Sequence, residues 1–140
     1  MKTSALKTII KSKFPIDLTP SVAVGYGFPI NGPAVFVPTF TTREQTKSNL
    51  INYLLTNKGE RVFNPNFGAD LRNLLFENIV DSTQDDIIVI ISDYIRLFFP
   101  TVIVKEIKFV NDPDRNTINF IMTYQISNLG EEDSINIELQ

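Results

Sequence analysis

The stretch from residue 117 to residue 127 constrains the fold most. Ile118, Phe120, Met122, Tyr124 and Ile126 recur at every second position, the period of a β-strand with one buried face. Just before it, Asn111-Asp-Pro-Asp-Arg-Asn116 carries strong turn chemistry, and residues 102–110 are rich in β-branched and aromatic residues. Two such runs joined by a turn predict an antiparallel hairpin. Residues 134–140 alternate too, with Ile135, Ile137 and Leu139 on the inner face. The last third of the chain therefore reads as a mostly antiparallel β-meander.

Helical signals lie ahead of it. Thr41-x-x-Glu44 fits a capping box, and Leu50, Ile51, Leu54 and Leu55 follow as an apolar stripe, with Gly59 as the stop. A short second helix is predicted over 69–77 from the spacing of Leu71, Leu74 and Leu75, with Asp70 in its first turn. The third starts near Asp81 or Ser82. It carries Ile87, Ile91, Tyr94, Ile95 and Phe98 at helical spacing and stops before Pro100. Ile88, Ile90 and Leu97 lie on its other faces, which predicts cover on more than one side. Helices followed by a meander define an α+β class.

Residues 1–40 hold five of the eight prolines together with Gly25, Gly27 and Gly32, so a long regular element is not expected there. This irregular, extended N-terminal segment is either a strap across its own domain or an arm across a neighbour, the strap being the default. Residues 41–140 form a single α+β domain of two to three helices packed on the meander.

The chain has 140 residues, enough to bury a core without staples, and a net charge of −3, which argues against nucleic acid as a partner. It has neither cysteine nor histidine. Ser-His-Asp and Cys-His catalysis and His/Cys zinc sites are thereby excluded within the chain. No secretory leader or membrane span is read, so a soluble protein working in a cytoplasm or a cytoplasm-assembled particle is expected. No cofactor is implied. Lys2, Lys7, Lys11 and Lys13 open the chain, while Glu131, Glu132, Asp133 and Glu138 close it. These opposite ends are expected to meet on neighbouring copies.

Sixteen carboxylates remain as chemistry. Asp112-x-Asp114-x-Asn116 opens like a calcium loop, but Thr117 and Thr123 stand where glycine and glutamate are needed, so it is a turn. Gly25-x-Gly27 lacks the third glycine of a dinucleotide loop. A two-carboxylate glycosidase built from Glu60, Asp70 or Glu77 is the best enzyme alternative, although no spacing in sequence is specific for it.

The stretch Gly59-Glu-Arg-Val-Phe-Asn-Pro-Asn-Phe-Gly68, followed by Asp70-Leu71 and Leu75-Phe-Glu-Asn78, resembles the central motif of the phage baseplate wedge and type VI secretion baseplate family, sometimes labelled lysozyme-like. The resemblance runs from about Thr41 to the end of the chain. Glycines at 59 and 68 permit sharp turns, Pro65 fixes the loop between them, and Phe63, Phe67 and Phe76 can anchor it. A rigid knuckle presenting Glu60 and Arg61 is expected. One departure stands out: the family commonly carries Glu-Pro-Arg after the long helix, whereas this chain has Phe99-Pro100-Thr101. Either an apolar contact through Phe98 or Phe99 replaces the charged one, or these phenylalanines are core.

The resemblance implies a non-enzymatic wedge subunit, similar to the carboxy-terminal domain of the sheath protein, that docks on the wedge core and starts sheath assembly. Implied partners are other wedge proteins, the tail sheath protein and neighbouring tail tube or hub proteins, with six copies per baseplate and no membrane or nucleic-acid contact. It places the protein in the virion tail baseplate, assembled in the host cytoplasm. Expected contact residues are Glu60, Arg61, Phe63, Pro65, Phe67, Phe99 and Pro100, with Ile135, Ile137 and Leu139 where a sheath strand would add to the sheet edge. A type VI secretion baseplate subunit is the alternative, and a peptidoglycan hydrolase the more distant one.

Overall fold

The computed structural model describes residues 15–19, 21–28, 30, 36–73, 81–127 and 129–139. Two short strands, β1 (Gly25–Tyr26) and β2 (Pro38–Thr39), pair with each other ahead of helix α1 (Thr42–Leu55). Helix α2 (Asp81–Phe98) follows, then strands β3 (Val102–Asp112), β4 (Thr117–Ile126) and β5 (Glu132–Leu139). The last three form one antiparallel sheet in the order β3-β4-β5. The architecture is α+β, with two α-helices on a meander among the described residues.

Helix α1 begins where the sequence places it. The Thr41 hydroxyl accepts from the Glu44 amide at 3.2 Å, and the Glu44 carboxylate accepts from the Thr41 and Phe40 amides. Asp17 takes a further orphan donor, the Thr42 N–H, at 2.7 Å. The helix ends at Leu55, four residues before the predicted stop. Thr56 is already extended, and its hydroxyl donates to the Asn52 carbonyl. Gly59 uses its positive φ of 87° instead to close a turn, donating to the Pro65 carbonyl at 2.8 Å.

The helix expected over 69–77 is corrected in its first part. Residues 69–72 are loop and turn with Asp70 in the left-handed region at φ 60°, so Asp70 does not sit in a first helical turn, and helical geometry of the 3-10 kind begins only at Asn73. Its carboxylate accepts from the Asn73 amide side chain at 2.7 Å. Residues 74–77 lie outside the described residues.

The strands follow their alternation. On β4, Ile118, Phe120, Met122, Tyr124 and Ile126 are buried, and on β5 so are Ile135, Ile137 and Leu139. On β3 the buried face passes from Val102 and Val104 to Ile107 and Phe109, from even numbers to odd. A bulge at Lys105, where the register steps from Val104↔Tyr124 to Glu106↔Thr123, absorbs the extra residue.

One core joins the sheet to both helices. Leu50, Tyr53 and Leu54 from α1, Ile91 and Ile95 from α2, and Phe67 and Leu71 from the connecting loop meet Phe120, Met122, Tyr124, Ile135 and Ile137. Each fully buried aliphatic or aromatic side chain contributes about 1.5–3 kcal/mol relative to exposure. The predicted second cover of α2 is absent among the described residues: Val89, Ile90 and Leu97 are exposed.

The described part of residues 1–40 lies along α1. The Phe28 amide donates to the Ser48 hydroxyl at 3.3 Å, and the Thr39 hydroxyl donates to Gln45. Gly25 faces the Gln45 side chain so closely that a Cβ would displace it. Leu18, Tyr26 and Phe36 nevertheless remain open to solvent.

Candidate protein-interaction site

The motif of residues 59–68 folds as a loop that returns against the end of α1. A helix leaves its last carbonyls without partners, and here the returning chain supplies them. Ala69 donates to the Tyr53 carbonyl at 3.1 Å and Asp70 to the Thr56 carbonyl at 3.3 Å. The backbones approach so closely that a Cβ at Gly68, φ 125°, would collide with the Thr56 carbonyl. Within the loop, Asn64 donates to the Arg61 carbonyl and Phe67 to that of Asn64. The loop is therefore held from both ends and from inside.

The expected contact residues take different positions on it. Glu60 folds back, accepting from the Asn57 amide and the Asn57 side chain, both at 2.9 Å. Arg61 also folds back, its guanidinium lying 3.7 Å from the Phe67 ring centroid. The two do not pair with each other. Phe67 is core, edge-on to Tyr53 at 5.2 Å. What the loop presents outward is Val62 and Phe63, the latter with 101% relative exposure, beside an exposed Pro65.

Phe99 and Pro100 follow α2. Phe99 is half-buried, edge-on to Tyr53 at 5.9 Å, and Pro100 is exposed. Phe98 lies between Phe67 at 5.4 Å and Tyr94 at 6.4 Å. An aromatic strip thus runs from Phe67 through Phe98 to Tyr94, with Arg61 over one end and Lys58, 4.8 Å from the Tyr94 centroid, over the other. Arg61, Phe67, Phe98 and Phe99 border a concavity of about 260 Å³ together with Asn49 and Asn52. The sequence singles out Arg61, Phe67 and the Phe98-Phe99 pair but not Lys58, whose one sequence signal is its place beside the Gly59 turn.

Ile135, Ile137 and Leu139 point into the core, so they hold β5 in place rather than offer side chains to a neighbour. β5 is the outermost strand beside β4. The acidic end is partly satisfied within the chain. Arg43 reaches Glu131 at 2.6 Å, and Lys47 reaches Asp133 at 3.0 Å. Lys2, Lys7, Lys11 and Lys13 lie outside the described residues, as does Glu77. Burial alone would raise the Asp133 carboxyl, but the Lys47 hydrogen bond, the Ser134 amide and the charges of Lys47 and Arg43 outweigh it and hold it below its ordinary range. Burial pushes the Tyr53 and Tyr124 phenols up.

Among the described residues no group of three acidic side chains converges on a metal position, and no helix is long and apolar enough to cross a membrane. The domain thus combines a loop braced against α1 with a sheet whose β5 edge has no paired strand among the described residues. The family described as "Baseplate wedge protein gp25" matches residues 41–130, more than half of the chain. The chain belongs to that family. Baseplate wedge protein gp25 of Enterobacteria phage T4 is 38% identical over 56 residues, covering 40% of this chain and 42% of that protein. The matched part thus spans less than half of that relative's length. Two solved structures share the fold. A putative tail lysozyme from Geobacter sulfurreducens superposes with a TM-score of 0.62 at 17% identity, covering 71% of this chain and 93% of the other. A chain of the anti-feeding prophage baseplate gives 0.60 at 20% identity, covering 73% and 83%.

Proposed function

We propose that the protein is a structural, non-enzymatic subunit of the baseplate wedge in a contractile phage tail. It docks on the wedge core and starts sheath assembly by accepting a strand at its sheet edge. Family membership supports the baseplate role. The observation that carries the strand-addition step is the position of β5. It is one of the two outer strands of a three-stranded sheet, anchored by Ile135, Ile137 and Leu139, and its far edge has no paired strand among the described residues. Other wedge proteins, the sheath protein and the neighbouring tube or hub are the partners, at six copies per baseplate, assembled in the host cytoplasm.

The 59–67 loop and the Phe99-Pro100 corner are the docking elements on the wedge side. The loop is preorganised, which lowers the ordering cost of binding. Val62 and Phe63 lead the contact, and Phe98 and Phe99 stand in for the charges that the Glu-Pro-Arg pattern would bring.

Substituting proline along β5 at positions whose N–H faces the open edge tests the strand-addition step without removing core side chains. Baseplates should form with normal subunit content while sheath fails to polymerise on them. Normal sheath growth on such baseplates would overturn strand addition. A lysozyme activity is the competing reading, since one structural neighbour carries that name. Glu60, its best acid, is solvent-exposed and engaged with Asn57. Purified protein is expected to leave peptidoglycan intact; turnover lost in Glu60→Gln would reverse this conclusion.

A further inference from the structure

The geometry points to Lys58 and Arg61 as a two-cation seat for an acidic segment of a neighbouring protein chain, with an apolar residue beside its carboxylates packing on Phe98 and Phe99. This rests on the docking role of the 59–67 loop and names the chemistry of what that loop receives.

Of the nine cations among the described residues, four pair with acids, and of the other five only Lys58 and Arg61 lie over aromatic rings. Arg43 and Lys47 pair with Glu131 and Asp133, Lys108 with Glu106, and Arg115 with Asp112. Among the described residues, Lys58 and Arg61 have no ion pair or hydrogen bond through their charged heads, and each lies over an aromatic ring. A ring face attracts a cation and fixes its position but leaves its N–H groups unspent. Arg61 in particular holds its guanidinium 3.7 Å from the Phe67 centroid, and a guanidinium with an unpaired fork of donors can take a carboxylate through two parallel hydrogen bonds.

The surroundings favour a carboxylate with an apolar neighbour. Asn52 offers a side-chain amide free of hydrogen bonds among the described residues. Asn49 accepts from Gln45 through its oxygen and keeps its N–H donors. Both border the concavity beside Arg61, which Phe67, Phe98 and Phe99 also line. The aromatic strip from Phe67 to Tyr94 separates the two cations, so a segment with two acids and an apolar residue between them matches the sequence of contacts. Nucleic acid fits less well. The chain carries a net charge of −3, and the ring faces a base would stack on are already covered by cations.

Two measurements test this. In the first, isotopically labelled full chain is titrated with the blocked peptide acetyl-Glu-Leu-Glu-amide, with its acetyl-Gln-Leu-Gln-amide counterpart, and with a thymidine oligonucleotide. The glutamate peptide should shift the Arg61 Nε–H, the Asn49 and Asn52 side-chain amides and the backbone of the 58–67 loop. It should bind about tenfold tighter than the glutamine peptide and weaken as salt rises. Equal shifts with both peptides, or tighter binding of the oligonucleotide at the same residues, would overturn the proposal. In the second, particles are assembled with wild-type chain, with Lys58→Glu/Arg61→Glu, and with Lys58→Arg/Arg61→Lys. Charge reversal should remove the subunit from particles although the purified variant melts as wild type does, and the charge-conserving pair should return it in part, because lysine at 61 keeps the charge without the fork. Wild-type incorporation of the reversed variant would contradict the proposal while leaving the structural role intact. Absence of the wild-type chain itself from particles would contradict the structural role, a different outcome. Should the reversed variant not fold, the peptide titration on wild-type protein decides.

Discussion

Lys47 and Asp133 meet at 3.0 Å, fastening α1 to the start of β5 across 86 positions of sequence. The Tyr124 hydroxyl lies 3.4 Å from the other Asp133 oxygen, and Arg43 Nε is 3.6 Å away. Asp133 therefore steadies the strand whose outer edge is proposed to receive a partner.

Because Lys47 and its neighbours hold the folded Asp133 carboxyl below its ordinary range, the pair's contribution is fully present above the unfolded carboxylate pKa of about 3.9. It is lost as pH falls through the lower, folded value. Asp133→Asn should cost about 1 kcal/mol near neutral pH, and the gap to wild type should close in strong acid. Urea melts across that range measure it.

Tyr53 is fully buried, and its hydroxyl has no hydrogen-bond partner among the described residues. An unpaired buried hydroxyl is a penalty rather than a gain. Tyr53→Phe should be neutral or stabilising by up to about 1 kcal/mol, whereas Tyr53→Ala, which empties the centre of the aromatic cluster, should cost about 3–5 kcal/mol. Thermal melts of the two variants separate the ring from its hydroxyl.

Gly59 and Gly68 both have positive φ, yet a Cβ at Gly59 would meet open space, while one at Gly68 would strike the Thr56 carbonyl. Gly59→Ala should cost about 1–2 kcal/mol, the left-handed penalty alone. Gly68→Ala should cost clearly more, because the loop must also leave the end of α1. Hydrogen exchange at the Ala69 and Asp70 amides should accelerate only in the second variant.

The bulge at Lys105 gives a sharper contrast. Deleting Lys105 leaves Val104 facing in, Glu106 out and Ile107 in, a regular alternation, so the variant should fold with a loss of no more than about 2 kcal/mol. Deleting Lys108 turns Phe109 away from the core and should cost at least about 3 kcal/mol. Equilibrium unfolding of the two deletions checks this.

The meander and α2 were legible in the sequence because period and turn chemistry agree there. The β4 alternation could face the core in only one way, and Pro100 leaves α2 little room beyond Phe98. The bulge was also written in the chain, in the step from Val102 and Val104 to Ile107 and Phe109, but it shows only when parity is followed along the strand. The stop of α1 was misplaced because Gly59 has two uses for a positive φ, and the Thr56 backbone, extended against the returning loop, decided between them. Asp70 misled for a related reason: an acid near a helix start and an acid in a left-handed turn look alike without the Thr56 carbonyl that holds its amide. At the candidate site the residue types were legible, but the way Glu60 and Arg61 fold back along the surface while Phe63 stands out depends on Asn57 and Phe67 as partners.

Reconstruction of the intact particle at side-chain resolution tests the central claim most directly. The account predicts this chain in the wedge ring of the baseplate, with an extended segment of a sheath subunit paired along the outer edge of β5. Density that places the chain outside the baseplate, or that leaves the β5 edge bare beneath an assembled sheath, would contradict it.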